Sequence, residues 1–167
     1  MHRLGSRELS FDANCVIDFA KTANLALLDQ LFNGRILLSD FVAEELARAG
    51  IEWKQARTVV LSESELQLFE DIRRNNPPLG IGEIGAITIA RLRDADLITN
   101  DRQARSTASQ LGIHSSGSLA VLVCAVELGA MTAENATQIL SEMVLAGAWL
   151  SEDLIESFRS DVMKAKR

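Results

Sequence analysis

The sequence predicts an α/β fold, a three-layer α/β/α sandwich with a central parallel sheet and a helical C-terminal extension. Between residues 9 and 118, short apolar runs of strand length alternate with stretches of helical periodicity. This alternation is typical of parallel sheets whose two faces are covered by helices. From about 119 to 165 the pattern is helical throughout. The chain has 167 residues, 47% of them hydrophobic, and we expect residues 1–167 to form a single domain.

Three predicted strands occupy the first part of the chain. The first is the apolar run at residues 9–11, and the others lie within "RILLS" and "ARTVVLS". Helical spacing follows the first strand, and Thr22 is expected to cap the next helix, which an Asn-Gly pair ends. Ser39 is expected to cap the helix in "DFVAEELARAG", which Gly50 terminates.

Helices dominate the rest of the chain, with two further strands among them. Ser62 and Glu65 form a predicted capping box, and an Asn-Asn-Pro-Pro sequence ends the helix that they begin. The segment "ADLITND" predicts the fourth strand, "RQARSTASQLG" a helix, and "IHSSGS" a short strand and turn. Thr132 and Ser151 are expected to cap two later helices.

The charge and cysteine content exclude several classes of protein. A net charge of -6 argues against non-specific coating of nucleic acid, although a few arginines and a metal can still bind it locally. Cys15 and Cys124 lack the spacing of metal ligands, so we expect reduced core thiols and a cytoplasmic location. No segment reaches the roughly 20 apolar residues of a membrane span. The N-terminal residues "MHRLGSRELS" also lack the apolar run of a signal peptide.

The segment "LGIGEIGAIT" contains a G-x-G-x-x-G spacing, formed by Gly80, Gly82 and Gly85, with Asp101 downstream. This spacing indicates a nucleotide-cofactor enzyme only if its first glycine directly follows a strand. Here a predicted helix end and two prolines precede it, so a cofactor enzyme is the least favoured hypothesis. We instead expect Gly80 and Gly82 to lead into a helix whose first turn contains Glu83.

Four acidic residues lie at or just beyond apolar runs, namely Asp12, Glu45, Glu83 and Asp101. The residues that follow parallel strands lie at one edge of the sheet, where ligands bind. Helices that start near this edge can bring Glu45 and Glu83 inward. Carboxylates ~4 Å apart repel by about 4 kcal/mol per pair at an effective dielectric near 20, so their convergence requires protons or cations. Hard oxygen ligands without cysteine or histidine favour Mg²⁺ or Mn²⁺ over zinc.

Each of these acids also has a structural explanation. Glu45 could be a solvated helix residue, Asp101 could cap the helix that follows it, and Glu83 could interact favourably with a helix dipole. Asp12 is the hardest to explain in this way, because an acid that ends a buried strand is desolvated and needs a partner. Asp18 could be a fifth contributor or an exposed helix residue.

The segments "FDANCVIDF", "LLSDFVAEELA", "GIGEIGAITIA" and "LITNDRQAR", in this order, resemble the PIN domain. PIN domains are a family of metal-dependent ribonucleases, and many small members are toxins of toxin–antitoxin pairs. The similarity runs through nearly the whole chain. It includes "GIHSSGSLAVLVCAVELGAMT" and "GAWLSEDLIESF", which resemble a small prokaryotic PIN subfamily.

The resemblance implies catalytic and metal-binding roles for Asp12, Glu45, Glu83 and Asp101. The second acid has a register alternative, because Glu44 precedes Glu45 directly. The cofactor implied is Mg²⁺ or Mn²⁺, and the reaction is hydrolysis of phosphodiester bonds in single-stranded RNA.

The resemblance also implies supporting positions for Asn14, beside the first acid, and Thr99, in a Thr-x-Asp pattern with the fourth. The sequence departs from its relatives at two positions, because another acid often stands where this chain has Gly85 and a paired acid where it has Asn100. These departures keep a second hypothesis open, a catalytically weak or inactive PIN module that binds RNA or a protein partner.

The net charge is negative, so the protein as a whole does not attract RNA. We therefore expect individual basic residues near the site to bind the RNA phosphates. Arg102 and Arg105, one helical turn apart beside the fourth acid, are the first candidates, and Arg91 and Arg93 come next. Arg105 could instead form a structural ion pair or be solvated.

Further expectations concern histidines and partners. His2 and His114 have no acid or cysteine motif around them, and we interpret both as non-catalytic. The resemblance makes an antitoxin protein a possible partner. Apolar helices near both ends of the chain favour a homodimer.

Overall fold

Five parallel strands form the central sheet in this computed structural model, which describes residues 4–166. The strand order is β3-β2-β1-β4-β5, and every neighbouring pair is parallel. The strands are Leu9–Phe11 (β1), Ile36–Ser39 (β2), Arg57–Val59 (β3), Asp96–Ile98 (β4) and Ser115–Ser116 (β5).

Helices connect the strands and cover both faces of the sheet. Within the part of the chain that the structure describes, the helices are Ala13–Lys21 (α1), Leu25–Phe32 (α2), Asp40–Arg48 (α3), Glu65–Asn75 (α4), Ile81–Leu92 (α5), Arg102–Gln110 (α6), Ser118–Glu127 (α7), Ala133–Leu145 (α8) and Glu152–Ala165 (α9). The last three helices pack against one another and form the C-terminal extension. The α/β fold with a central parallel sheet is therefore confirmed.

The sheet has a topological switch point between β1 and β4. The chain leaves β1 towards β2 and β3 on one side, then returns to the other side of β1 to form β4 and β5. Phe11 of β1 pairs with Ile98 of β4, so the residues that follow these two strands are neighbours. Crevices at such switch points, outside the carboxyl ends of the strands, are where α/β sheets bind ligands.

Short-range hydrogen bonds confirm most of the predicted caps. The side chains of Ser39, Thr132 and Ser151 accept hydrogen bonds from main-chain N–H groups three residues later, at 3.1 to 3.4 Å. Ser62 and Glu65 form both bonds of the predicted capping box, with the Ser62 N–H donating to the Glu65 carboxylate at 2.9 Å.

The predicted cap at Thr22 is wrong. Thr22 lies at the C-terminal end of α1, and its hydroxyl donates to the carbonyls of Asp18 (3.0 Å) and Phe19 (3.2 Å). The residue at the N-cap of α2 is Asn24, whose side chain makes no cap bond. Threonine can bond backward to a preceding carbonyl as readily as forward to an N–H group, and the sequence does not distinguish the two.

Helix α5 is the central helix of one layer and packs unusually close to the β2–α3 junction. The Ser10 hydroxyl of β1 donates to the Ala86 carbonyl at 2.8 Å, which ties the helix to the sheet. Gly85 faces the junction, where a Cβ atom would lie 2.7 Å from Ser39 Oγ and 3.0 Å from the Phe41 ring. A side chain at position 85 would therefore push α5 away from α3.

We expect Gly85→Ala to lower the free energy of unfolding by up to about 2 kcal/mol. The overpacking against Ser39 and Phe41 costs about 1–3 kcal/mol, more than the roughly 1 kcal/mol that alanine gains over glycine in a helix. Urea denaturation measures the change.

Gly82→Ala in the same helix is the matched control. The added Cβ would meet only the far end of the flexible Glu45 side chain, so this variant should be as stable as the wild type or more stable. Equal stability changes in the two variants would show that the close approach at Gly85 has no energetic weight.

Candidate functional site

The candidate site lies at the carboxyl edge of the sheet, at the switch point between β1 and β4. Asp12 directly follows β1, and its main-chain N–H donates to the Ile98 carbonyl at 2.9 Å. The Asp12 residue is 2% exposed. It occupies the N-cap of α1 but its side chain makes no cap bond, so its carboxylate is not used to begin the helix.

Thr99 links the first and the fourth acid. Its hydroxyl donates to Asp12 Oδ2 at 3.0 Å and accepts a hydrogen bond from the Asp101 N–H at 3.1 Å. Asp101 Oδ1 accepts from the Ala104 N–H at 2.6 Å and so caps α6. Asp101 therefore caps α6, as its structural explanation predicts, and it also lies at the carboxyl edge of the sheet.

Glu45, rather than Glu44, is the acid that α3 turns toward the switch point. A Cβ atom on Gly82 of α5 would lie 2.9 Å from Glu45 Cδ, so the Glu45 carboxylate rests directly against the first turn of α5. Glu44 is exposed on the other side of α3, where Arg48 lies 3.5 Å from its carboxylate. The close approach of Glu45 depends on the missing side chain at Gly82.

Glu83 lies in the first turn of α5, and Gly80 is the N-cap of this helix. The Gly80 N–H donates to Glu83 Oε2 at 2.8 Å. The preceding element is α4 and a loop, not a strand, so the glycine spacing lacks the context of a dinucleotide fingerprint. The structure confirms that Gly80 leads into a helix whose first turn contains Glu83, but Gly82, expected to precede the helix as well, lies inside its first turn.

The four carboxylates act on one another electrostatically. The pKa of Asp12 rises from 3.8 to about 7, mainly because the carboxyl group is buried. The negative charges of Glu83 and Glu45 raise this pKa further, and the hydrogen bond from Thr99 lowers it. Burial also raises the pKa of Glu83, against the Gly80 hydrogen bond, and the charges of Asp101 and Glu45 raise it further. The acids therefore converge, although they come from four different segments.

The N-termini of several helices offset part of this negative charge. Helices α1, α3, α6 and α7 each begin directly after a strand, so their N-terminal ends lie at the same edge of the parallel sheet. Each helix N-terminus carries a partial positive charge of about half an elementary charge and stabilises nearby anions. These dipoles make the edge more tolerant of carboxylates, but the raised pKa of Asp12 shows that the compensation is partial.

The donor set fits a hard divalent cation chemically but does not form a complete cage. Among residues 4–166, no group of three or more acidic, histidine or cysteine side chains is arranged so that it could hold a metal ion. Mg²⁺ commonly takes one or two protein carboxylates and completes its shell with water and substrate phosphate. The pair of Glu45 and Glu83 beside Asp12 meets this smaller requirement in ligand type.

Asn100 is part of a polar cluster that the sequence did not indicate. Its Oδ1 accepts from the Ser118 N–H at 2.9 Å, and its Nδ2 donates to Ser118 Oγ at 3.0 Å and to Asp18 Oδ2 at 3.5 Å. A carboxylate at position 100 could not donate to Asp18, so the amide fits this position better than an acid. These partners lie 82 and 18 residues away in the chain, and no local pattern reveals them.

The other predicted site residues lie around this edge without contacting the carboxylates directly. Asn14 is exposed in the first turn of α1. Arg102 is exposed and Arg105 is half-buried in α6, and neither forms an ion pair with a residue in the described range 4–166. Arg93, a second-choice phosphate ligand, is engaged in an ion pair with Glu65 at 2.6 Å.

His114 does not lie among the carboxylates. His114 Nδ1 lies 3.5 Å from Asp96 Oδ2, at the amino-terminal end of β4 rather than the carboxyl end. His2 lies outside the residues that the structure describes.

We expect Asp12→Asn to raise the free energy of unfolding by about 1–3 kcal/mol at pH 8 in EDTA. The amide keeps an acceptor for Thr99 but removes the buried charge, and each pKa unit corresponds to about 1.4 kcal/mol. Because the pKa of Asp12 is higher in the folded state, wild-type stability falls as pH rises from about 4 to about 7 and then levels off. The variant should show a weaker fall over the same range, measured by urea denaturation.

Asp153→Asn, an exposed residue of α9, is the control and should change stability by less than about 0.5 kcal/mol. A loss of stability in Asp12→Asn at pH 8 would mean that the Asp12 charge is compensated in the free protein.

Comparison with known families agrees with this geometry. A model of the family DUF3368, described as a PIN domain, matches residues 9–164. No curated protein matches the chain. The matched segment contains all four converging acids and all five strands of the described sheet. The chain therefore belongs to the PIN domain family.

Proposed function

We propose that this protein is a metal-dependent endoribonuclease that hydrolyses phosphodiester bonds in single-stranded RNA. PIN domains are generally nucleases, which gives the broad class. The observation that carries the proposal is the placement of Asp12, Glu45, Glu83 and Asp101 at the switch point of the sheet, where burial and, after it, the charges of neighbouring acids raise the pKa of Asp12 and Glu83. Such crowding is energetically unfavourable without a cation.

Of the four acids predicted as ligands, Glu45 and Glu83 beside Asp12 would hold Mg²⁺ or Mn²⁺, with water and substrate phosphate completing the coordination shell. The bound ion would lower the pKa of a water molecule and neutralise charge on the phosphate. Asp12 is oriented by the Thr99 hydrogen bond, and Glu83 by its bond to the Gly80 N–H. Because the pKa of Asp12 is about 7, this carboxyl group is partly protonated near neutral pH and would give up its proton if a cation were bound beside it.

The substrate class rests on family membership and on local basic groups. Arg102 and Arg105 follow Asp101 on α6 and are the proposed phosphate ligands, since Arg93 is held by Glu65. The net charge of -6 makes these local contacts more important than long-range attraction. The choice of single-stranded RNA follows the behaviour of PIN relatives.

A second candidate function is a catalytically weak PIN module that binds RNA or a protein partner. Two observations favour it. The residues described by the structure contain no arrangement of three metal-ligating side chains, and Gly85 and Asn100 stand where relatives often have acids. The close packing at Gly85 and the bonds of Asn100 to Ser118 give both departures a structural reason, so they are not by themselves signs of lost activity.

The proposal also covers the partners of the protein and its location in the cell. We propose a toxin role with a co-encoded antitoxin, on the strength of the family, and a cytoplasmic location. A homodimer is supported by two exposed apolar residues, Leu145 at the end of α8 (87% exposed) and Trp149 in the loop before α9 (92% exposed). Over the described range of the chain, no helix is both long and apolar enough to cross a membrane.

We expect Glu45→Gln to lower the rate of RNA cleavage by about 100-fold or more, because it removes a carboxylate from the cation site. Asp12→Asn should have a similar effect. The measurement is cleavage of a fluorescent single-stranded RNA at saturating Mn²⁺.

Glu44→Gln is the matched control, because it makes the same change one residue earlier in α3, on the exposed side of the helix. Its cleavage rate should match that of the wild type. Wild-type protein that binds Mn²⁺ and RNA but cleaves no RNA would support the non-catalytic module instead.

We expect Gly82→Ala to weaken Mn²⁺ binding by about 10-fold without loss of stability. The added methyl group would displace the Glu45 carboxylate from the first turn of α5, and such changes around a metal ligand typically cost 10–100-fold in affinity, about an order of magnitude here. Isothermal titration calorimetry measures the change.

A second substitution tests the cause of this effect. In the Gly82→Ala background, Glu45→Asp shortens the side chain by one methylene and should recover part of the affinity. Unchanged Mn²⁺ affinity in Gly82→Ala would indicate that Glu45 does not bind the ion.

A further inference from the structure

A cavity of about 360 Å³ adjoins the carboxylate site. It lies between β5, the first turns of α7, and α9 of the C-terminal extension. Asn100, which lies between Thr99 and Asp101 in the chain and bonds to Ser118, forms part of its wall. A volume of this size is typical of pockets that bind small organic molecules, which begin at about 300 Å³.

Arg105 supplies a basic group to this cavity. Its main-chain N–H donates to the Asp101 carbonyl at 3.1 Å, so the residue lies one helical turn beyond the fourth acid. The side chain is half-buried, lines the cavity, and makes no hydrogen bond or ion pair with any residue between 4 and 166. A partly buried guanidinium that has no partner in this part of the chain is suited to bind a phosphate or the polar edge of a base.

The remaining walls of the cavity combine hydroxyl groups and the His114 imidazole with apolar side chains, among them the Phe158 ring. Ser115 and Ser157 contribute hydroxyls, while Leu119, Leu150 and Leu154 form an apolar surface. A nucleobase has this dual character, because its flat faces are apolar and its edge carries hydrogen-bonding groups. Asp161 also lines the cavity, so the wall is not uniformly positive and does not favour a highly charged anion.

We propose that this cavity binds one unpaired nucleotide of the RNA strand, next to the nucleotide whose phosphodiester is cleaved. The base packs against Leu119 and Leu154, and Arg105 bonds to its phosphate or its polar edge. Splayed, unstacked bases are the usual targets of proteins that recognise single-stranded RNA. This inference rests on the proposed ribonuclease function, and it adds a basis for sequence preference that the carboxylates themselves cannot provide.

Binding measured in EDTA tests the cavity separately from catalysis. The probes are a fluorescent ten-nucleotide RNA of mixed sequence and the four ribonucleoside 5′-monophosphates, added to the wild-type chain. The monophosphates should shift the NMR amide signals of residues 115–117 and of Leu154. Arg105→Gln should weaken RNA binding about 5–10-fold, and Leu154→Trp, which fills the cavity, should weaken it about 10-fold or more.

Two control variants change the same residue types outside the cavity. Arg159→Gln removes an exposed arginine of α9, which follows the buried Phe158. Leu128→Trp enlarges an exposed leucine at the end of α7. Both should bind RNA as the wild type does. Equal weakening in the controls and the cavity variants would overturn the proposal, as would monophosphates that leave residues 115–117 unshifted.

The cleavage assay with Mn²⁺ distinguishes the two proposals. If the wild type cleaves RNA and both cavity variants bind and cleave like the wild type, the nucleotide cavity is wrong and the ribonuclease function stands. If no RNA is cleaved but the cavity variants lose RNA or monophosphate binding, the cavity stands as a nucleotide site and the catalytic proposal fails. Preferential binding of an apolar peptide, with no nucleotide binding, would also overturn the proposal.

Discussion

Repulsion among carboxylates at the carboxyl edge of the sheet is the constraint on which the rest of the structure depends. Asp12 is almost fully buried, and the charges of Glu83 and Glu45 add to the cost of ionising it. Two like charges ~4 Å apart cost about 4 kcal/mol at an effective dielectric near 20. The parallel sheet tolerates this arrangement because four helices start at the same edge, and because its buried strands supply stability elsewhere.

Two glycines of α5 allow the acids to meet. Gly85 lets the helix approach Ser39 and Phe41, and Gly82 leaves room for the Glu45 carboxylate against the first turn. The same helix presents Glu83 and is tied to β1 by the bond between Ser10 and the Ala86 carbonyl. The glycine spacing that resembles a dinucleotide fingerprint therefore has a packing explanation. Because Gly82 and Gly85 have no side chains, α3 and α5 can pack closely together.

Asn100 connects the carboxylate site to the cavity that we propose binds a nucleotide. Asn100 joins the end of β4 to the start of α7 through Ser118 and also reaches Asp18. Residues of α9 line the cavity next to Asn100, so the C-terminal extension contributes to the surroundings of the site as well as to the core. Although α9 comes last in the chain, it can in this way influence which ligand reaches the switch point.

The sequence by itself determined the order of strands and helices, most of the helix caps and the positions of the four acids at the ends of these elements. Strand periodicity and caps such as Ser39 and Ser151 depend on residues a few positions apart, so a local pattern is sufficient. Only the tertiary structure decided that Glu45 rather than Glu44 faces α5, and that Asn100 bonds to Asp18. These contacts join segments that are distant in the chain, and their geometry depends on how closely the helices pack, which no local pattern encodes.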